Sequence, residues 1–243
     1  MVELRCDSQW VDETVQDGLL DDGWMPMGVG RPVSQEHLER FEGVLPSSVL
    51  QIWRRFGFEG FKQGRFWITD PLEWEPVVQA WLADLDLPFP PQNWWCLTRT
   101  ALGEMQLWGE TSGPALSIDP AFGKIRPDAD NARDMDNPVK RERMGAIVLT
   151  DSFEDELADE DTGENVVDTA LERFGALGPD QVLGLTPAYC FTGKISMADV
   201  GVHPALSYLV TLAQLQDRRL AQDFSAQAAQ VATSIATQAP EDQ

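Results

Sequence analysis

The chain has 243 residues, 43% of them hydrophobic, with 40 acidic against 18 basic side chains and a formal net charge of −22. That apolar content is enough for a core and excludes a disordered acidic tail as the description of the whole chain. The charge opposes direct binding to phosphate backbones, and no run of about 18 apolar residues is present to span a membrane.

Ser34-Gln35-Glu36-His37 is a capping pattern ahead of Leu38 and Phe41 and predicts a helix start. Pro46 opens a second helix over Ser47 to Phe56, with Val49, Leu50, Trp53 and Phe56 on one face and Gly57 and Gly60 ending it. Phe66-Trp67-Ile68, bounded by Gly64 and Asp70-Pro71, reads as a short strand. Trp74, Val77, Val78, Trp81 and Leu82 have helical spacing, and Pro88, Pro90 and Pro91 follow as breakers. Trp53, Trp74 and Trp81 are expected in the core. Trp94 and Trp95 are adjacent, so one of them is expected to point outward as an interface anchor.

Met105–Trp108, Ala115–Ile118 and Lys124-Ile125 are extended segments joined by Gly and Pro turns, which fits an antiparallel meander. Ile147-Val148-Leu149 reads as a strand or as the start of a helix. An acidic block follows: Asp151, Glu154, Asp155, Glu156, Asp159, Glu160, Asp161, Glu164, Asp168 and Glu172, with no basic residue among them. Phe153, Leu157, Val166, Val167, Leu171 and Phe174 interleave with it. The pattern predicts an amphipathic helical pair with an acidic outer face. Leu183–Pro187 into Ala188–Phe191 reads as a strand and loop. His203-Pro204 opens a last helix with Leu206, Leu209, Val210, Leu212, Ala213 and Leu215 as its buried stripe. Beyond Asp217 the chain is rich in Ala and Gln, and its final dozen residues are expected to be mobile.

All nine tryptophans lie between Trp10 and Trp108. That shift predicts two regions, 1–105 and 106–217, followed by a tail over 218–243. The fold class expected is α+β, with an N-terminal helical region packed on an antiparallel sheet and a smaller C-terminal α+β region after it.

Motifs for chemistry are sparse. Gly28-Val29-Gly30 lacks a third glycine, and Gly193-Lys194 lacks both the leading glycine and the following Ser or Thr of a phosphate loop. Asp159-Glu160-Asp161-Thr162-Gly163 puts glycine at position five, and Ala170 stands where a calcium loop needs Glu. No Gly-x-Ser-x-Gly elbow is present, although sequence order alone leaves a Ser-His-Asp set open for His37 and His203. Their positions near predicted helix starts favour capping or surface roles. Cys6, Cys96 and Cys190 form no Cys-x-x-Cys pair and are expected as free thiols in the cytoplasm. The acidic start, Met1-Val2-Glu3-Leu4-Arg5-Cys6-Asp7, points to the same compartment. No cofactor or metal is expected, and the chain reads as a binding protein rather than an enzyme.

Phe41–Pro46, Trp53, Gly57-Phe58-Glu59-Gly60-Phe61, Gly64-Arg65-Phe66-Trp67 and Asp70-Pro71 together resemble the GAD-like domain. Phe174–Pro179, Gly184–Ala188 and His203–Leu209 look like the C-terminal domain that often accompanies it. Proteins with this pair are similar to immunity proteins of type VI secretion DNase toxins, and the leucine-proline helix with its aromatic turn also resembles the SUKH immunity superfamily. The resemblance implies a cytoplasmic inhibitor of a basic nuclease, with no catalytic residues of its own. The expected contact is the acidic face of Asp155, Glu156, Asp159, Glu160, Asp161 and Glu164, together with Trp94 and Trp95. An adaptor that loads an effector, or a hydrolase working through a carboxylate pair, stays open beside it.

Overall fold

The computed structural model describes residues 7–133, 135–151 and 157–221. Cys6, Asp155, Glu156 and the tail from 222 onward lie outside the described residues, and so do the expectations placed on them.

Helix α1 (Ser8–Val15) starts at Asp7, whose carboxylate accepts the Gln9 N–H at 3.0 Å, and widens into a π-helical turn over Gln16–Leu20. Helix α2 (Gln35–Phe41) is capped by Ser34 through the His37 N–H, as its sequence predicts. Helix α3 (Ser47–Phe56) buries Val49, Leu50, Ile52 and Trp53 and stops at Gly57, whose φ of 70° admits no ordinary side chain. Strands β1 (Gly60–Phe61) and β2 (Phe66–Ile68) form a short hairpin. Helix α4 (Pro71–Leu82) follows, with Asp70 as its cap and Trp74, Val77, Val78 and Trp81 inward.

Strands β3 (Trp94–Thr100), β4 (Met105–Gly109), β5 (Gly113–Asp119) and β6 (Lys124–Pro127) run as an antiparallel meander. A short turn of helix, α5 (Ala129–Ala132), leads to α6 (Pro138–Thr150). Ile147-Val148-Leu149 therefore ends a helix. The strand reading fails because Asn137 caps this segment and Ala146, Val148 and Leu149 point to the core at helical spacing. Then come α7 (Val166–Phe174), β7 (Gln181–Leu185), the helical turn α8 (Tyr189–Thr192), β8 (Val200–Pro204), α9 (Ala205–Leu215) and β9 (Arg219–Leu220).

The larger sheet has the order β1-β2-β3-β4-β5-β6-β9, with β9 parallel to β6, and β7 and β8 pair separately. Helices cover both of its faces. Leu97, Trp108, Phe66 and Ile68 face α1, α2, α3 and α6, whereas Cys96, Met105, Leu107, Leu116, Ile118 and Ile125 face α4 and α9. A third cluster joins α7, β7 and β8 around Val166, Val167, Leu171, Leu183 and Val200. The fold is α+β, as composition and periodicity predict. The residue-105 seam falls at the first residue of β4, which pairs with β3 on one side and β5 on the other.

The C-terminal elements are tied to this sheet at several points. Arg99 is buried, lies over the rings of Trp67 and Trp74, and donates to the Pro179 carbonyl at 2.8 Å. The Trp81 indole donates to the Leu209 carbonyl at 3.1 Å. Two details of the expected last helix change. Leu215 is 49% exposed, because α9 packs through Ala205, Leu209, Leu212 and Ala213, and His203 belongs to β8, stacked on Tyr208 at 4.4 Å.

Candidate partner-binding surfaces

Among the described residues, the acidic block from 157 to 172 is a tight turn followed by one helix, α7, where the sequence predicts a helical pair. Asp159 is buried, and one of its carboxylate oxygens accepts the N–H groups of Asp161 and Thr162, both at 2.8 Å. The other accepts the Met197 N–H at 2.6 Å. A side chain that binds its own following backbone competes with helix formation, and here it wins. These contacts, the Met197 N–H foremost, hold the Asp159 carboxyl below the usual carboxylate range.

Glu160 accepts the Ile195 N–H at 2.9 Å, and Asp161 pairs with the Lys194 ammonium at 2.7 Å. That contact raises the Lys194 ammonium above its ordinary range. The block thus stitches itself to residues 194–197, and a lysine remote in sequence enters its field. Glu160, Asp161 and Glu164 still face solvent, as do Asp168 and Glu172 on α7. Trp94 and Trp95, being successive in β3, go to opposite faces of the sheet. Trp95 packs edge-on against Phe41 at 5.3 Å and Trp94 against Phe89 at 5.4 Å, and both are half-buried.

A second acidic surface was not singled out by sequence reasoning. Asp12, Glu13, Asp17, Asp21 and Asp22 are all exposed along α1, the π-helical turn and the turn that follows it, opposite buried Val11, Val15 and Leu19. Its signal was available, since apolar residues recur every fourth position from Val11 to Leu19 with acids between them. Arg55 pairs with Asp12 at 2.9 Å. The loop after this surface presents Met25 and Val29, exposed by 59% and 49%. It is held by Glu59, whose buried carboxylate accepts the N–H groups of Val29, Gly30 and Gly60 at 3.2, 3.1 and 2.9 Å. Acids and exposed apolar side chains thus adjoin on a fixed backbone, an arrangement suited to a basic protein partner.

One arrangement bears on hydrolysis. Ser34 Oγ lies 3.1 Å from His37 Nδ1, and His37 Nε2 lies 3.2 Å from Asp70 Oδ1. Ser34 and Asp70 also accept backbone N–H groups as the caps of α2 and α4. Among the described residues no group of three or more His, Cys, Asp or Glu side chains is placed to hold a metal ion, and no helix is long and apolar enough to cross a membrane.

No curated protein matches the chain. The crystal structure of Atu4351 from Agrobacterium tumefaciens is similar in fold, with a TM-score of 0.66 at 19% identity, over 84% of this chain and 91% of that one. Residues 19–121, which carry α2 to α4 and β1 to β5, match the family model of the GAD-like domain.

Proposed function

We propose that the protein is an immunity-type inhibitor that binds a basic effector, a DNase of a type VI secretion system, and neutralises it by covering its nucleic-acid-binding surface. The observation that carries this reading is the exposed acidic surface of α1 and its π-helical turn, beside a loop that exposes Met25 and Val29, on a chain of net charge −22. A nuclease needs a basic surface to hold phosphates. An acidic partner is steered to that surface and competes with the substrate for it. The GAD-like domain at 19–121 is consistent with such a role. In this reading the protein acts in the cytoplasm and needs no catalytic residue or cofactor.

The test is co-expression with the product of the neighbouring gene, scoring survival and plasmid integrity, followed by co-purification. Rescue with a stable complex supports the reading. Toxicity without rescue or binding removes it.

A further inference from the structure

On the α3/α6 side of the large sheet, a row of polar side chains interrupts an otherwise apolar face. Thr98, Gln106, Ser117 and Arg126 stand opposite one another across β3, β4, β5 and β6, so their side chains share one face. Farther along the same face the positions are Leu97 and Trp108, both buried under helices. Over the polar row the cover is four-residue α5, whose Asn131 donates to the Pro114 carbonyl, as does Gln106. The result is an open cleft of about 370 Å³, within the size range of small-molecule sites.

Glu104 and Asp128 line the cleft with Arg99 and Arg126, but the Arg99 guanidinium is engaged elsewhere, over Trp67 and Trp74 and on the Pro179 carbonyl. Arg126 donates to Glu104 at 3.0 Å and to Asp119 at 2.5 Å, so one cation serves two carboxylates. Asp128 is the second acid of the lining, and its carboxylate accepts the Asn131 N–H as the cap of α5. Glu104 and Arg126 remain 37% and 39% exposed at the side chain, within reach of an incoming group. Burial pushes the Glu104 carboxyl above its ordinary range despite Arg126, and Asp119 adds to the rise. A second cation would relieve that penalty. The hydroxyls of Thr98 and Ser117 and the Gln106 amide can accept hydrogen bonds around a flat donor.

We propose that this cleft binds a guanidinium group on a short chain, with Glu104 as its counter-ion and the polar row as its hydrogen-bonding floor. The group can belong to an arginine side chain of a bound protein or to a free small molecule. The site is separate from the acidic surface of α1 and does not depend on the neutralisation reading.

Calorimetric titration of the full chain with agmatine and with N-acetyl-arginine amide tests it. Saturable binding is expected for at least one probe, weakened about tenfold or more in E104Q, since charge-assisted hydrogen bonds are the strong ones. It should be abolished in S117F, which fills the cleft without changing charge, and retained in D17N on the distant acidic surface. Tighter binding of the amide assigns the site to a partner chain, and tighter binding of agmatine to a free ligand. No saturable binding of either probe, or binding in E104Q and S117F as tight as in the parent, overturns the proposal.

Discussion

Ser48 and Glu142 stand 94 positions apart and meet twice: the Ser48 N–H donates to Glu142 Oε2 at 2.8 Å, and the Ser48 hydroxyl donates to the Glu142 carbonyl at 2.8 Å. The other carboxylate oxygen accepts the Ser47 N–H and hydroxyl, both at 3.0 Å. A carboxylate from α6 therefore caps α3, where the orphan N–H groups and the helix dipole favour negative charge. Gly145 lets the two helices approach, since a Cβ there would stand 2.7 Å from Pro46. Glu142→Ala leaves buried donors unpaired and is expected to cost about 2–4 kcal/mol. Urea denaturation measures it, and a loss below about 0.5 kcal/mol would contradict the capping role.

Asp159 makes stability depend on acid. Its carboxyl titrates lower in the folded protein than in the unfolded chain, where the value is about 3.9. Its contribution is therefore complete above that unfolded value and is lost as pH falls through the folded one. Asp159→Asn should weaken the 157–165 turn at neutral pH and flatten the acid limb of the stability curve. Thermal melts of both proteins between about pH 2 and pH 7 test this. Parallel curves would contradict it.

The two described cysteines should behave oppositely. Cys96 is fully buried, and burial pushes its thiol up to about 12. Cys190 is exposed. Because the thiolate is the reactive form, iodoacetamide should modify Cys190 and spare Cys96 until the protein unfolds. Peptide mass spectrometry reads the outcome directly.

The acidic surface of α1 should govern encounter with a basic effector. A triple reversal, Asp17→Lys with Asp21→Lys and Asp22→Lys, is expected to slow association by about tenfold or more at low salt, with much less effect at high salt. Reversal of Glu160 and Asp161 also removes internal contacts, so it should lower stability as well as rate. Stopped-flow association at two ionic strengths separates the two surfaces. Equal rates for the triple variant and the parent would move the interface elsewhere.

Ser34 distinguishes a cap from a nucleophile. Ser34→Ala should cost about 1 kcal/mol as a lost helix cap. In the inhibitor reading, the parent protein turns over no ester substrate and the variant leaves neutralisation unchanged. Ester hydrolysis that vanishes in Ser34→Ala would instead make Ser34, His37 and Asp70 a catalytic set.

Much of the fold was legible because its signals are local. Pro46, the apolar period and Gly57 bound α3 to the residue, and the alternation from Met105 to Ile125 gives the meander. The failures involve contacts that are distant in sequence or that compete with helix. Nothing near Asp159 announces Met197, and nothing near Asp161 announces Lys194, so the acidic run overstated its free charge. The cleft was equally hidden. Gln106 and Ser117 look like ordinary outward positions of strands until the register aligns them with Arg126.

Arg99 carries a consequence for how the molecule comes apart. Its guanidinium lies between two tryptophans of the GAD-like stretch and rests on the carbonyl of Pro179. If the C-terminal elements peeled away, the guanidinium would lose its Pro179 acceptor, a charge-assisted hydrogen bond of about 1.5–3 kcal/mol, together with the apolar cover over Trp74 and Trp81. The two halves are thereby coupled, and partial opening is disfavoured relative to complete unfolding. Heating should produce one calorimetric transition, and a fragment ending before Pro179 would not keep the native core of the first half.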